Sequence, residues 1–169
     1  YYMSKQIDIP MEGGGQPWHV ATYDNKYYGA SSLETAMLHS DNTVFAQLVM
    51  DVGPEKARDA AERLGIKSPM ATNPSIALGG LGQGVSPLEM SSAYGTLSAN
   101  GMYAEPLAIT RVEMPDGTID YQANPQPRKV VKDGVAYEVT KVLKADIEKG
   151  TSSKANIGRP AAGKTGSTE

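Results

Sequence analysis

The chain has 169 residues, 40% of them hydrophobic, a formal net charge of −3 and no cysteine. That length supports one core rather than two, and the scattered Lys and Arg residues lack the basic footprint of a nucleic-acid binder. A disulfide frame, a thiolate metal site and a cysteine nucleophile are excluded, two histidines are too few for a His-rich metal centre, and no apolar run approaches the roughly 18 residues that span a bilayer.

Residues 1–30, with Gly13-Gly14-Gly15, Trp18 and five tyrosines, read as short extended pieces and loop. Ser31-x-x-Glu34 fits a capping box and predicts a helix start, with Leu33, Ala36 and Met37 at helical spacing. Polar His39-Ser40-Asp41-Asn42 interrupts the pattern. Val44, Phe45, Leu48, Val49 and Val52 then resume it, and Gly53 closes that helix. Pro54 suits the first turn of the next, where Ala57, Ala60, Ala61 and Leu64 form the expected buried stripe and Gly65 the stop. The charged run from Glu55 to Glu62 is its solvated face.

Residues 68–85 read as loop. A second capping box, Ser86-Pro87-Leu88-Glu89, opens a helix carrying Met90, Ala93, Tyr94 and Leu97 that stops at Asn100-Gly101. Ile109 to Met114 and Thr118 to Tyr121 flank Pro115-Asp116-Gly117 and predict a β-hairpin. Asn124 to Pro127 is a linker. Asp133 caps a long helix ending at Lys149-Gly150, and the small residues Ala161 to Gly166 suggest a strand. This order is not a β-α-β alternation. It points to an α+β fold, an antiparallel sheet with a helical subdomain.

Two triplets carry residue types suited to chemistry. In Ser40-Asp41-Asn42 a hydroxyl and a carboxamide two residues apart can face one pocket, one passing a proton and the other holding a peptide group. The same residue types also favour helix N-caps. In Lys164-Thr165-Gly166-Ser167-Thr168 an ammonium beside hydroxyls suits a ligand carboxylate or phosphate, and Gly166 lets the backbone approach it. Gly158-Arg159-Pro160-Ala161-Ala162-Gly163-Lys164-Thr165 also spells the nucleotide-binding loop G-x-x-x-x-G-K-[ST]. That loop needs an apolar strand before it and a helix after it. Polar Thr151 to Asn156 precede Ile157, and Gly166 follows, so this reading is set aside.

Ser-Asp-Asn followed by Lys-Thr-Gly is the pairing of serine β-lactamases and penicillin-binding proteins. Longer strings carry the resemblance further: Tyr28-Gly29 with Leu33 and Ala36, Pro74-Ser75-Ile76-Ala77-Leu78-Gly79, Val85-Ser86-Pro87-Leu88-Glu89-Met90, Ala93-Tyr94, and Ala162-Gly163-Lys164-Thr165-Gly166. Along nearly its whole length the chain resembles the transpeptidase domain of class A penicillin-binding proteins. One departure is plain: no serine has lysine three residues later. The nearest string, Thr151-Ser152-Ser153-Lys154, has threonine in the nucleophile position and lies where the family keeps no nucleophile. The chain opens on Tyr1-Tyr2-Met3 and stops soon after Gly166, and both ends read as cuts. Residues 1–169 are therefore expected to be a partial domain, with the S-x-x-K segment before Tyr1 and the closing strands and helix after Glu169.

The resemblance implies a D,D-transpeptidase that forms peptidoglycan cross-links through an acyl-serine and binds β-lactams when complete, with this piece inactive alone. Ser40, Asn42 and Lys164 would be catalytic, Ser40 shuttling a proton, Asn42 holding the substrate backbone and Lys164 orienting Ser40 as a charged ammonium. Thr165, Gly166, Ser167 and Thr168 would bind the substrate carboxylate, and the Ser167 backbone N–H would donate to the oxyanion. Asp41 would be structural, and His39 a local helix-end contact. No metal or cofactor is implied. Stem peptides ending in D-Ala-D-Ala and β-lactams are the implied partners. The parent protein would be membrane-anchored on the extracytoplasmic face, with an upstream glycosyltransferase domain. The alternatives are a non-enzymatic β-lactam-sensing or wall-binding domain, or a D,D-carboxypeptidase or β-lactamase of the same superfamily. No glutamate begins the Glu-x-x-Leu-Asn string expected of a class A β-lactamase.

Overall fold

Four three-residue strands occupy the N-terminal segment: β1 (Tyr2–Ser4), β2 (Ile7–Ile9), β3 (Trp18–Val20) and β4 (Gly29–Ser31). In the computed structural model, which describes residues 1–11 and 13–166, β2 pairs antiparallel with β3 and β1 with β4. In each strand the third residue is buried and the second exposed, the period-two alternation of a sheet with one wet face.

Helix α1 spans Leu33–His39, and its N-cap is Ser32 rather than the expected Ser31. Ser31 is occupied in the β4 ladder opposite Tyr2, and its hydroxyl donates to the Gly29 carbonyl. Ser32 has the extended backbone a cap needs, and its side chain accepts the Thr35 N–H at 3.1 Å. Helix α2 (Asn42–Val52) follows with Asp41 as N-cap, and Gly53 ends it. Helix α3 (Pro54–Leu64) begins at the expected proline, but none of its residues is buried. Ala57, Ala60, Ala61 and Leu64 are half-buried, because three of the four have little side chain to bury.

Residues 68–85 contain a 3-10 turn at Pro74–Leu78. Helix α4 (Pro87–Ser98) carries the full capping box between Ser86 and Glu89. Ala93 and Thr96 are its buried residues, while Met90 is exposed. β5 (Met102–Tyr103) pairs with β8 (Arg128–Lys129), and β6 (Arg111–Glu113) with β7 (Ile119–Gln122), the latter being the expected hairpin. Helix α5 (Asp133–Lys149) follows, and after it a 3-10 turn at Ser153–Ala155. Residues 161–166 form no strand. A ladder needs a neighbouring strand, and this segment is held instead by Gly163 N–H on the Leu143 carbonyl at 3.3 Å and Thr165 N–H on Ser152.

The fold is α+β, with the antiparallel pairing among the described residues divided among four two-stranded sheets rather than one sheet. Two compact units are distinguishable. One comprises Tyr1–Asp59, Met70–Gly82 and the residues from Glu138 on; the other comprises Ala60–Pro69 and Gln83–Tyr137. The first has its core where the β2–β3 hairpin meets α2: Ile9, Val20 and Ala46 are buried, with Ile7, Trp18 and Leu78 packed against them. Val44 and Val49 are buried on α2, and burial of a valine side chain contributes about 2 kcal/mol. In the second, Glu89 accepts the backbone N–H groups of Lys67, Ser68 and Ser86 and the hydroxyls of Ser68 and Ser86, tying the start of α4 to the chain before it.

Candidate active site

The break between α1 and α2 is built by two residues acting in opposite directions. Ser40 ends α1 with φ 52° and ψ 47°, a left-handed conformation rare for a residue with a Cβ. Its N–H bonds to the Met37 carbonyl at 3.1 Å, and the Asp41 N–H bonds to the Ala36 carbonyl at 2.8 Å. These are the two bonds of a Schellman motif, in which glycine usually takes the left-handed place. Asp41 then starts α2. It is 1% exposed, and its Oδ1 accepts from the Thr43 N–H, the Thr43 hydroxyl and the Val44 N–H at 3.0, 2.7 and 3.3 Å. Its Oδ2 accepts the Ser4 hydroxyl at 2.5 Å, and Ser4 accepts the Tyr28 N–H at 2.9 Å. Asp41 is thus fully occupied in holding β1, the Tyr28 backbone and α2 together, a structural part.

This leaves Ser40 and Asn42 on either side of a fixed carboxylate. Among the described residues the Ser40 hydroxyl has no hydrogen-bond partner. Asn42 Nδ2 donates to the Ala21 carbonyl at 3.1 Å, which fixes the carboxamide plane and leaves its Oδ1 without a described partner. His39 stacks on Tyr28 with ring centroids 3.9 Å apart, a local contact at the helix end.

The second triplet lies against the C-terminal end of α5. Lys164 Nζ donates to Thr165 Oγ1 at 2.9 Å, to the Thr165 carbonyl at 3.2 Å and to Thr151 Oγ1 at 3.4 Å. None of these bonds runs to Ser40. Burial pushes the Lys164 ammonium below the ordinary lysine value, and the Asp146 carboxylate opposes that shift. Lys164 therefore sits in a tuned environment, although a charged anchor near neutral pH would require none. Thr165 and Gly166 are exposed. Ser167 and Thr168 lie outside the described residues.

A turn that belongs to neither triplet joins the segments that carry them. Thr151 donates its N–H to the Leu38 carbonyl at 3.0 Å, two residues before Ser40, and its hydroxyl lies 3.2 Å from that of Thr165. Ser152 accepts the Thr165 N–H at 3.0 Å. Gly150 is required there, since an added Cβ would stand 2.1 Å from Asp146 Oδ1 and 3.0 Å from the Leu38 carbonyl oxygen. The signal in the sequence is small: a glycine and two hydroxyl residues directly after a helix. The nucleotide-loop reading fails in the structure as well. A 3-10 turn, Ser153–Ala155, precedes Gly158, and residues 161–166 form no helix. Among the described residues no cluster of three or more acidic or histidine side chains could hold a metal, and no helix is long and apolar enough to cross a membrane.

The family model of the penicillin binding protein transpeptidase domain matches residues 4–169, and the chain belongs to that family. Among its relatives is penicillin-binding protein 1F of Bacillus subtilis, 32% identical over 146 residues, covering 86% of this chain and 20% of the relative. Penicillin-binding protein 1A/1B of the same organism is 34% identical over 158 residues, covering 91% of this chain and 17% of the relative. The chain thus spans about a fifth of the length of these curated relatives. Among solved structures, penicillin-binding protein PonA1 from Mycobacterium tuberculosis superposes with a TM-score of 0.82 at 25% identity, covering 99% of this chain and 47% of that one.

Proposed function

We propose that these residues form the proton-relay and carboxylate-anchoring part of a peptidoglycan D,D-transpeptidase. The serine nucleophile and its lysine lie in the same protein outside the 169 residues, since no serine here has lysine three positions on. That serine attacks the carbonyl between the last two D-alanines of a stem peptide. D-alanine leaves with a proton, and the amine of a second stem resolves the acyl-enzyme. β-Lactams enter the same pocket and acylate the same serine.

The observation that carries this reading is the bracket at Thr151, which bonds through its N–H to the Leu38 carbonyl at the C-terminal end of α1, two residues before Ser40, and through its hydroxyl to Lys164 and Thr165. It supports one pocket wall made from both triplets, both of them within the same compact unit. Ser40, whose hydroxyl has no partner among the described residues, passes the proton to the leaving amine. Asn42 holds the substrate peptide group through its Oδ1. Lys164 supplies positive field, and Thr165, Ser167 and Thr168 bind the terminal carboxylate beside Gly166. The Ser167 N–H is one oxyanion donor, a contribution of about 3 kcal/mol to the transition state in comparable sites. In this reading the parent protein is anchored at the extracytoplasmic face of the membrane, carries a glycosyltransferase domain upstream, and takes stem peptides as substrate.

The test is labelling of the full-length protein with a fluorescent penicillin, together with a cross-linking assay on stem peptides ending in D-Ala-D-Ala. A stable adduct with cross-linked product is expected. Rapid release of the adduct would indicate a β-lactamase, and stable labelling without cross-linking a sensor. Absence of labelling would overturn the reading.

A further inference from the structure

Asp146 is a fully buried acid with no part in the helix caps or in the proposed chemistry. Two features of its position oppose a carboxylate. It sits in the last turn of α5, where the helix dipole disfavours negative charge. It is also removed from water, which is costly for any unpaired ion. An apolar side chain would suffer neither penalty, so the acid must be offset by what it touches.

Its contacts all lead to one place. Asp146 accepts the Ser152 hydroxyl in a short hydrogen bond and the Thr151 hydroxyl at 3.3 Å. Ser152 is itself buried, and its oxygen accepts the backbone N–H of Thr165 at 3.0 Å. Thr151 presents its hydroxyl to Lys164 Nζ and Thr165 Oγ1. The geometry repeats the one at Asp41, where a backbone N–H of Tyr28 reaches a buried acid through the Ser4 hydroxyl. The difference is informative. Asp41 spends its other oxygen on capping a helix, whereas both oxygens of Asp146 serve the turn under the Lys164-Thr165-Gly166 segment.

Resting on the transpeptidase reading, we propose that Asp146 is a positioning residue for the reaction: it sets the Thr165 backbone through Ser152, and its charge acts on the Lys164 ammonium, so that the segment meets a ligand carboxylate in one pose and as a cation. Lys164 shares no direct ion pair with it among the described residues; the coupling runs through space. Among the described residues the Lys164 ammonium otherwise meets the uncharged Thr151 and Thr165 hydroxyls and the Thr165 carbonyl, and Lys149, on the helix that carries Asp146, is paired with Glu34 at 3.7 Å.

The test uses the full-length protein and two variants. Asp146→Asn keeps an acceptor for Ser152 and removes the charge. Ser152→Ala keeps the charge and breaks the relay. Two quantities are read: the titration midpoint of Lys164 by NMR of labelled lysine side chains, and the acylation rate by a fluorescent penicillin across neutral to alkaline pH. In Asp146→Asn the Lys164 midpoint should fall, because the opposing carboxylate is gone, and the alkaline limb of acylation should move down with it. In Ser152→Ala acylation should slow by about threefold to tenfold, with both the midpoint and the limb where the wild type has them. An unmoved midpoint in Asp146→Asn, or a wild-type rate in Ser152→Ala, would overturn the proposal. Should Asp146→Asn not fold, Ser152→Ala decides alone. A wild-type protein never labelled by penicillin would sink the transpeptidase reading, while the Lys164 titration would still decide the coupling.

Discussion

Thr151 donates its backbone N–H to the Leu38 carbonyl at 3.0 Å, and its side chain receives Lys164 and faces Thr165. One residue therefore links the helix that ends at Ser40 to the segment that carries the anchoring ammonium. Replacing Thr151 by valine keeps the backbone bond and the branched shape but deletes the hydroxyl. The expected outcome is a penicillin acylation rate lower by about threefold to tenfold, the value of one hydrogen bond. Stability should fall as well, by about 1–3 kcal/mol, because that hydroxyl is one of the donors to the buried Asp146 carboxylate. Stopped-flow acylation and urea unfolding measure the two quantities.

Gly150 makes that turn possible for a steric reason rather than a conformational one. A methyl group there would overlap Asp146 Oδ1 and press on the Leu38 carbonyl oxygen. Gly150→Ala should lower stability by about 1–3 kcal/mol, as overpacking does, and should cost acylation too, because the displaced groups are those that hold Thr151 and Ser152. Urea unfolding with the acylation assay checks both; an alanine variant with wild-type stability would contradict the packing described.

Asp41 accepts four hydrogen bonds while 1% exposed. Asp41→Ala removes an N-cap, worth about 1 kcal/mol, and strands the buried Ser4 hydroxyl, worth a further 1–3 kcal/mol or so. A loss of roughly 2–4 kcal/mol in unfolding free energy is expected, with loss of acylation following from the disordered Ser40-Asn42 break.

Glu89 gives a pH signature. The backbone N–H and hydroxyl of Ser86, with the Lys67 N–H and the Ser68 hydroxyl, hold its carboxyl down to about 2, against 4.5 for an unperturbed glutamate. A depressed folded value means that the unfolded state binds the proton more readily, so stability rises with pH through this window. The contribution is fully present above pH 4.5 and is lost as pH falls towards 2. Wild type should therefore exceed Glu89→Gln in urea midpoint at pH 7, and the gap should close between those two values. A constant gap would show that the carboxylate is not held by these donors.

Much of this fold is legible in the sequence where local chemistry and tertiary structure agree. Ser86 to Glu89, Pro54, Gly53 and Pro115-Asp116-Gly117 each satisfy a backbone need within a few residues, and each element forms where those residues place it. The capping box at Ser31 fails by one residue because a distant strand, β1, claims Ser31. The expected strand at 161–166 fails because strand formation depends on a neighbour that local composition cannot reveal. Both triplets were visible as chemistry. Asp146, Thr151 and Ser152 were not, since a helix-end acid and two hydroxyls look like solvated surface until the Thr165 N–H is seen to end on one of them.

Ser40 exposes a conflict between stability and the proposed chemistry. It holds the left-handed position of a Schellman motif, where a Cβ costs about 1–2 kcal/mol. Glycine would relieve that strain, less the larger entropy it loses on folding, about 0.5–1 kcal/mol. Ser40→Gly should therefore raise the unfolding free energy by about 0.5–1 kcal/mol. It also deletes the hydroxyl proposed to carry the proton, and general acid–base groups contribute about 100-fold or more. Ser40→Ala separates the two effects, keeping the strain and losing the hydroxyl. Both variants should lose acylation and cross-linking to a similar degree, while only the glycine variant gains stability. If the glycine variant gained stability and kept wild-type acylation, Ser40 would be a helix terminator alone, and the proton relay would have to run through another group.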